Sequence, residues 1–296
     1  MKKEIFRGCA TALITPFNEQ GVNLDEFTKI VNDQINMGVD ALVVCGTTGE
    51  ASTMSEEEKL LVIECAVKVS DKRVPIIVGT GSNSTKSVIE FNKKIEKLGV
   101  DGLLIVTPYY NKTTQEGLIE HYKEIANNTE LPIILYNVPS RTGLNITAET
   151  CYELSKIDNI IGIKEASGNI TQVAEIAHLC GDNFLIYSGN DDQILPILSL
   201  GGKGVISVVS HYNPKLVHDL CYSFFEGDFN KAKSLQLDLL PLIKILFSEV
   251  NPIPVKAMMN ELGYNVGNPR LPLVKMSDEG EKKLKEILKE CKKIIE

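Results

Sequence analysis

The sequence predicts a (β/α)8 TIM barrel followed by a small C-terminal helical domain. Three observations support this: short apolar runs recur eight times, amphipathic segments separate them, and the strand signal stops after about Gly227. The runs are almost continuously apolar, which is typical of parallel strands covered on both faces. Eight strand–helix units match an eight-fold barrel. The predicted domains are therefore residues 1–227, a catalytic barrel, and 228–296, a helical domain.

The eight predicted strands follow one another at spacings that leave room for a helix between them. They are Ala10 to Ile14, Ala41 to Cys45, Pro75 to Val78, Gly102 to Val106, Pro132 to Tyr136, Ile160 to Lys164, Phe184 to Tyr187 and Gly204 to Val208. The alternative fold is a doubly wound open sheet. That fold usually has fewer strands and a glycine-rich phosphate loop after the first, and no such loop follows the first strand here.

The helices between the strands carry recognisable start and stop signals. Ser55 to Ser70 opens with a Ser55-x-x-Glu58 capping box, and Ser84 to Leu98 ends at Gly99. Beyond Gly227 the pattern becomes helical only. The helices predicted there are Lys231 to Phe247, Pro254 to Leu262 and Glu279 to Ile295.

Composition suits a globular enzyme with a large core. The 296 residues are 43% hydrophobic and 24% charged. A net charge of −8 argues against a nucleic-acid or anionic-membrane partner. Because no apolar run approaches the ~20 residues that span a bilayer, and no apolar signal core follows the N-terminal lysines, we expect a cytoplasmic protein.

The cysteines and histidines give no sign of a metal site. The seven cysteines are scattered and never form a CxxC pair, which favours reduced thiols over disulfides or zinc. Cys45 follows two valines and is interpreted as a small core residue. The four histidines lack metal-ligand spacing. We therefore expect chemistry without a metal or another cofactor.

Polar residues follow several predicted strands at the end where barrel enzymes place their active sites. After the second strand, Thr47 and Thr48 lie between glycines and could offer a carboxylate both backbone N–H and hydroxyl donors. Tyr109 and Tyr110 follow the fourth strand. The fifth strand ends at Tyr136 and is followed by Arg141, a guanidinium suited to bidentate carboxylate binding.

Lys164 ends the sixth strand, directly after an apolar run. A buried ammonium is costly unless it is used, and desolvation frees the amine to attack a carbonyl. The alternative is a lysine whose head reaches water from a strand end. Each polar residue above also has a structural explanation, such as a packed tyrosine ring or a solvated arginine. Their convergence on one barrel mouth favours the functional interpretation.

Six strings together resemble the dihydrodipicolinate synthase branch of the pyruvate-dependent class I aldolase family, which also includes N-acetylneuraminate lyase. They are GTTGE (46–50), TPYYNK (107–112), YNVPSRTG (136–143), GIKEASGN (162–169), SGND (188–191) and NPIPVK (251–256). The resemblance runs from Gly8 to about Leu273, in the family's order and spacing.

The resemblance implies a Schiff-base reaction. Lys164 would form an imine with pyruvate, and the resulting enamine would add to L-aspartate 4-semialdehyde. Tyr136 would act as general acid–base and pass protons through Thr48 to Tyr110 of a neighbouring subunit. The product would be 4-hydroxy-tetrahydrodipicolinate, on the diaminopimelate route to lysine. The family also implies a homodimer or a homotetramer built as a dimer of dimers.

The resemblance also assigns substrate contacts. Thr47 and Thr48 would hold the pyruvate carboxylate, and Arg141 would bind the carboxylate of the semialdehyde. Two further residues, Gly189 and Ile206, would contact pyruvate.

Alternatives inside and outside the family remain open. Neuraminate lyases typically have Ser-Thr in the GxTGE loop and lack the arginine of the PSRTG turn, so Thr47 and Arg141 favour the synthase. Another pyruvate-dependent aldolase or lyase is the enzymatic alternative, and a non-catalytic binding member is the other. One departure is His211, which follows Ser210 where the family commonly has Ser-Asn, in a loop expected near the pocket.

The resemblance further predicts that lysine does not inhibit this protein. Lysine-inhibited members bind lysine between subunits, and the matching positions here are Glu56, Lys59 and Ser87. Lys59 would place a cation where a cationic ligand binds, and only Glu56 would offset it. The alternative is that these are ordinary solvated residues at helix starts. Their neighbours are Ala51, Asn83 and Tyr109.

Overall fold

The structure, a computed structural model, describes residues 2–295 and confirms the predicted (β/α)8 barrel. The strands are β1 Gly8–Ala12, β2 Phe17–Asn18, β3 Gly21–Val22, β4 Ala41–Val44, β5 Ile76–Gly79, β6 Gly102–Val106, β7 Ile133–Asn137, β8 Ile160–Glu165, β9 Leu185–Ser188 and β10 Gly204–Ser207. Eight of them pair in parallel, from β1 through β4 to β10 and back to β1, while β2 and β3 form a separate hairpin.

Helices cover the outside of the barrel and continue beyond it. They are α1 Leu24–Asn36, α2 Glu56–Ser70, α3 Thr85–Ile95, α4 Gln115–Ala126, α5 Pro139–Thr142, α6 Ala148–Ser155, α7 Ile170–Cys180, α8 Ile194–Ser199, α9 Pro214–Phe225, α10 Phe229–Leu246, α11 Ile253–Glu261 and α12 Asp278–Ile295. None of these helices is long and apolar enough to cross a membrane.

The predicted helix caps are present. The hydroxyl of Ser55 accepts from the backbone N–H of Glu58, and the Glu58 carboxylate accepts from the backbone N–H of Ser55, which completes the capping box of α2. The hydroxyl of Ser84 caps α3, which a 3-10 turn extends to the left-handed residue Gly99.

The first strand begins two residues earlier than predicted. Gly8 to Thr11 pair with β10, and the predicted residues Leu13 and Ile14 lie beyond the strand. Apolar character alone placed the strand too late, because Leu13 and Ile14 are buried outside the sheet's paired segment.

The barrel has two apolar regions, one between the strands and the surrounding helices and one inside the lumen. Phe6 and Tyr187 stack at 4.3 Å within the lumen group. Tyr136 and Ile206 belong to the same group. The lumen is therefore packed, as expected for an eight-stranded barrel.

A β-bulge interrupts the pairing of β7 with β8. Ile133 pairs with Ile160 and Ile134 pairs with Gly162, so Ile161 is an extra residue on β8. A Cβ on Gly162 would overlap the backbone of β9, so the glycine lets the bulged strand approach its neighbour.

The bulge decides which side chains of β8 face the lumen. Strict alternation from Ile160, which packs on the helix side, would turn Glu165 inward and Lys164 outward. With one residue inserted, Lys164 instead pairs with the lumen residue Tyr136. Glu165 lies behind the strand, where its carboxylate accepts from Asn137 and Gln172.

The chain beyond the barrel returns to the barrel mouth. α10 packs against α9, and the segment 251–270 then crosses to the loop that follows β4. Domain boundaries at 227/228 remain a prediction.

Candidate active site

Lys164 lies in the lumen near the C-terminal end of β8. Its side chain is buried, with 7% of the residue surface exposed, and its Nζ lies 4.4 Å from the centre of the Tyr136 ring. Within residues 2–295 it forms no ion pair with a carboxylate. Such burial does not fit a lysine that extends its ammonium into water. The amine and the phenol are adjacent, as the pairing of β7 with β8 requires.

Gly189 gives the lysine chain its space. A Cβ at this position would lie 2.6 Å from the Cβ of Ala166 and 3.1 Å from the Cε of Lys164. A larger residue would therefore overlap Ala166 and would also press on the side chain that carries the amine. Ile206 lies buried on β10 in the lumen group that also contains Tyr136.

Asp191 is an acidic residue near the amine to which the sequence analysis assigned no role. It is buried, and its Oδ2 accepts from the backbone N–H groups of Val208 and Val209 at 2.9 Å each. Burial raises the pKa of Asp191, and its hydrogen bonds and the positive charge of Lys164 oppose that rise. Its position shortly after β9, within the SGND string, is the feature of the sequence that could have identified it.

The loop after β4 carries the two threonines. Thr48 is buried, and its Oγ1 accepts a hydrogen bond of 2.9 Å from Nδ2 of Asn251. Glu50, left-handed at φ 55°, has a buried carboxylate 2.6 Å from Nζ of Lys256. The C-terminal segment therefore holds this loop from above.

One cavity joins several of the predicted residues. It has a volume of about 410 Å³ and is lined by Thr47, Tyr109, Tyr136 and Arg141. The Arg141 guanidinium lies at the mouth, where Nη2 donates to the backbone oxygen of Asn251 at 3.2 Å. The cavity continues between α2 and α3, where its lining includes Glu56, Lys59 and Ser87.

Tyr110 is not part of this arrangement within one chain. The residue is 93% exposed, and its backbone is left-handed at φ 72°. Among the described residues, Tyr110 forms no side-chain hydrogen bond with Thr48 or Tyr136.

His211 does not contact the pocket in the way its sequence position suggested. It is buried, its Nε2 accepts from the backbone N–H of Ile14, and its Nδ1 donates to the backbone oxygen of Val208. Burial lowers the pKa of His211 to about 4. The neutral ring therefore ties β10 to the end of β1, and it is a structural residue.

Cys45 fits the interpretation of a small core residue. It is buried, and burial raises the pKa of its thiol to about 12. All seven cysteines are free thiols. In the part of the chain that the structure describes, no group of three or more His, Cys, Asp or Glu residues could hold a metal ion; chemistry without a cofactor stays a prediction.

Sequence reasoning missed the contribution of the C-terminal segment. Asn251 and Lys256 both belong to the NPIPVK string, but nothing in their local pattern indicated contact with residues 48 and 50. The family resemblance included this string but assigned no role to its residues.

Comparison with known proteins identifies the family. Residues 5–291 match the model of the dihydrodipicolinate synthetase family. The 4-hydroxy-tetrahydrodipicolinate synthase 1 of Clostridium acetobutylicum is 57% identical over 285 residues, covering 96% of this chain and 97% of the relative. The synthase of Acetivibrio thermocellus is 52% identical over 290 residues, covering 98% and 99%.

Solved structures agree with these relatives. The dihydrodipicolinate synthase of Thermotoga maritima superposes with a TM-score of 0.95 at 43% identity, covering 97% of this chain and 99% of that one. The enzyme of Cyanidioschyzon merolae, solved with lysine bound, gives a TM-score of 0.95 at 39% identity and covers 98% and 99%.

Proposed function

The chain belongs to the dihydrodipicolinate synthetase family, and we propose that it condenses pyruvate with L-aspartate 4-semialdehyde to form 4-hydroxy-tetrahydrodipicolinate. The observation that carries this proposal is the amine of Lys164, buried in the lumen, 4.4 Å from the Tyr136 ring and without an ion-pair partner among residues 2–295. A buried amine with no carboxylate partner is suited to act as a nucleophile.

In the first half of the reaction, the neutral amine of Lys164 attacks the ketone carbon of pyruvate. The carbonyl oxygen leaves as water, and an iminium remains. The iminium withdraws electrons from the adjacent methyl group, which loses a proton and becomes an enamine. The Tyr136 ring lies beside the amine, and its hydroxyl would move these protons.

In the second half, the enamine carbon attacks the aldehyde carbon of the semialdehyde and forms a carbon–carbon bond. The aldehyde oxygen takes up a proton and becomes a hydroxyl group. The amino group of the semialdehyde then attacks the imine carbon, which closes the ring and releases Lys164. The protons taken up and released in these steps would again be transferred by hydroxyl groups at the cavity mouth.

Thr48 and Tyr110 would complete the proton relay. Thr48 is buried in the loop that follows β4, whereas Tyr110 is 93% exposed on its own chain. We therefore propose that Tyr110 of the partner subunit enters the site, and that the protein is at least a dimer. The proposed tetramer, a dimer of dimers, would show in sedimentation of the purified protein.

The carboxylates of the two substrates would bind at different places. Thr47, with its neighbouring backbone N–H groups, would hold the carboxylate of pyruvate. Arg141 at the cavity mouth would hold the carboxylate of the semialdehyde. The two sites share the same 410 Å³ cavity.

The proposal is tested by trapping the imine. The protein is incubated with pyruvate and borohydride, and the modified residue is mapped by mass spectrometry. We expect one adduct, on Lys164, and consumption of aspartate semialdehyde in a coupled assay. An adduct on another lysine would refute the assignment. Turnover of neuraminate or of a keto-sugar acid in place of the semialdehyde would identify a different aldolase of the family.

Arg141→Ala separates the two substrates. We expect the variant to form the pyruvate adduct at the wild-type rate, because the amine and Tyr136 are unchanged. Its KM for the semialdehyde should rise about 10- to 100-fold through loss of a charged hydrogen bond. Equal loss of adduct formation and of semialdehyde use would make Arg141 a structural residue.

We also propose that lysine does not inhibit this enzyme. Glu56 is the carboxylate in the groove between α2 and α3, and it already forms an ion pair with Lys94. Lys59 lines the same groove and adds a second cation. A lysine ligand, which is itself cationic, would therefore meet repulsion without a free carboxylate to offset it.

The proposal is tested by assaying turnover with and without lysine. Wild-type turnover should be unchanged at sub-millimolar lysine. The double variant Lys59→Ala with Lys94→Ala leaves Glu56 unpaired and should become more sensitive. Strong inhibition of the wild-type protein at sub-millimolar lysine would overturn the proposal.

A further inference from the structure

We propose that Asn251 is a positioning residue that orients the Thr48 hydroxyl for the proton relay. The inference rests on the proposed function. It begins from one contact across 203 residues of sequence: Nδ2 of Asn251 donates to Oγ1 of Thr48 at 2.9 Å. Both side chains are buried, Asn251 with 7% and Thr48 with 3% of its surface exposed.

The hydrogen-bonding chemistry of the two groups determines how the Thr48 hydroxyl is oriented. A threonine hydroxyl has one proton to donate and two lone pairs that accept, whereas an amide NH2 group can only donate. The Asn251 amide therefore occupies one lone pair of Thr48 and leaves its O–H proton free. One acceptor position and one donor position remain, and a hydroxyl that passes protons between two phenols needs both.

The amide is not what stability alone would favour at this place. Oδ1 of Asn251 is buried and has no hydrogen-bond partner among the described residues. A buried acceptor without a donor destabilises the fold. An apolar residue of similar size would remove that cost, so the amide is better explained by its bond to Thr48.

The backbone of the same residue reaches the second substrate site. Its carbonyl oxygen accepts from Nη2 of Arg141 at 3.2 Å. Substitution of the side chain leaves this carbonyl in place. The two contacts of Asn251 can therefore be tested separately, because a side-chain variant should disturb Thr48 and spare Arg141.

Two near-isosteric variants test the inference. Asn251→Leu removes both the donor and the unsatisfied acceptor, and Asn251→Asp replaces the donor by a carboxylate that attracts the Thr48 proton. We expect kcat to fall about 10- to 100-fold in each, because the relay is impaired but Tyr136 is retained. The KM for the semialdehyde should change less than about twofold. Asn251→Leu should unfold at the same temperature as wild type or higher.

Lowering the pH gives a further readout. The carboxyl group that Asn251→Asp introduces can donate to Thr48 again once it is protonated, so the kcat of this variant relative to wild type should rise as the pH falls. Asn260→Asp is the matched control: Asn260 lies on the same C-terminal segment, where its amide donates to the backbone of Gly267. This control should keep wild-type kcat.

The inference fails if both Asn251 variants keep kcat within about twofold of wild type, or if kcat falls only in proportion to lost folded protein. Exchange of the pyruvate methyl protons in D2O, followed by proton NMR, tests this inference separately from the proposed function. That exchange needs the imine and the relay but no second substrate. Slowed exchange in both variants would support the inference whether or not the wild type uses aspartate semialdehyde. Failure of the wild type to use aspartate semialdehyde would overturn only the proposed function.

Discussion

Lys164 and Lys256 are both buried lysines near the barrel mouth, and they meet opposite surroundings. Lys164 lies over the Tyr136 ring at 4.4 Å and has no ion-pair partner among the described residues. Lys256 is fully buried, lies 2.6 Å from the Glu50 carboxylate and sits over the Phe17 ring. Burial alone therefore does not identify a nucleophile, since of these two amines only Lys256 forms an ion pair with a carboxylate among the described residues.

The paired lysine belongs to a larger charged cluster. Arg270 lies over the ring of Phe17, pairs with Glu58, and donates its backbone N–H to Glu50 at 2.8 Å. Burial lowers the pKa of Lys256, and Glu50 opposes that effect. This cluster fastens the C-terminal segment to the loop that carries Thr48, whereas the proposed role of Lys164 requires an amine without an ion pair.

Substitution of lysine by methionine should mainly lower turnover at position 164 and mainly lower stability at position 256. Lys164→Met removes the proposed nucleophile, so we expect turnover to fall by about 10⁴-fold or more. Stability should change little, because the cost of burying an amine without an ion pair is removed while Asp191 loses the positive charge near it. The measurements are steady-state turnover and chemical denaturation at fixed protein concentration. A large loss of stability would show that this amine is held by partners after all.

Lys256→Met should instead destabilise the fold by about 3–5 kcal/mol, because it leaves the Glu50 carboxylate buried and unpaired. Chemical denaturation measures the free energy of unfolding. Adding Glu50→Gln should recover part of the loss, and the double-mutant cycle gives the coupling energy. If the single variant is as stable as wild type, the ion pair does not hold the loop.

A third buried base extends the comparison to pH. Burial lowers the pKa of His211 to about 4 from an unfolded value of 6.5. The unfolded state therefore binds a proton more readily than the folded state. The contribution of the neutral His211 ring to the free energy of unfolding is present above pH 6.5 and is lost as the pH falls towards 4. The loss amounts to at most about 3 kcal/mol.

His211→Asn is the matched variant for this prediction. It removes the titrating ring and should flatten the pH dependence of unfolding between pH 6.5 and 4. Burial likewise lowers the pKa of His121 to about 4, so part of the slope should remain. A slope identical to wild type would mean that His211 does not resist protonation in the fold.

The smallest expected effect concerns the space around Lys164. Gly189→Ala would place a Cβ 3.1 Å from Cε of Lys164 and should push the amine from its position. We expect adduct formation with pyruvate to slow about 10- to 100-fold, equivalent to about 1–3 kcal/mol. The measurement is the rate of borohydride trapping. Unchanged trapping would show that the strand yields and that the glycine is dispensable.

Much of the fold was readable because its signals are local. Continuous apolar runs predict buried parallel strands, and the Ser55 capping box is present at the start of α2 as predicted. The positions of Lys164, Tyr136 and Arg141 at strand ends were readable for the same reason, since parallel strands in a barrel direct their C-terminal ends to one mouth. The limits of the first strand were not, because they depend on pairing with β10.

What the sequence by itself determined is the set of strands and the polar residues that follow them. Only the tertiary structure decided which of those residues meet. The bulge at Ile161 turns Lys164 rather than Glu165 into the lumen, and it arises from the pairing of β8 with β7. Asn251 reaches Thr48 from 203 residues away. Side-chain direction and distant contacts depend on neighbouring elements, so no local pattern in the chain could specify them.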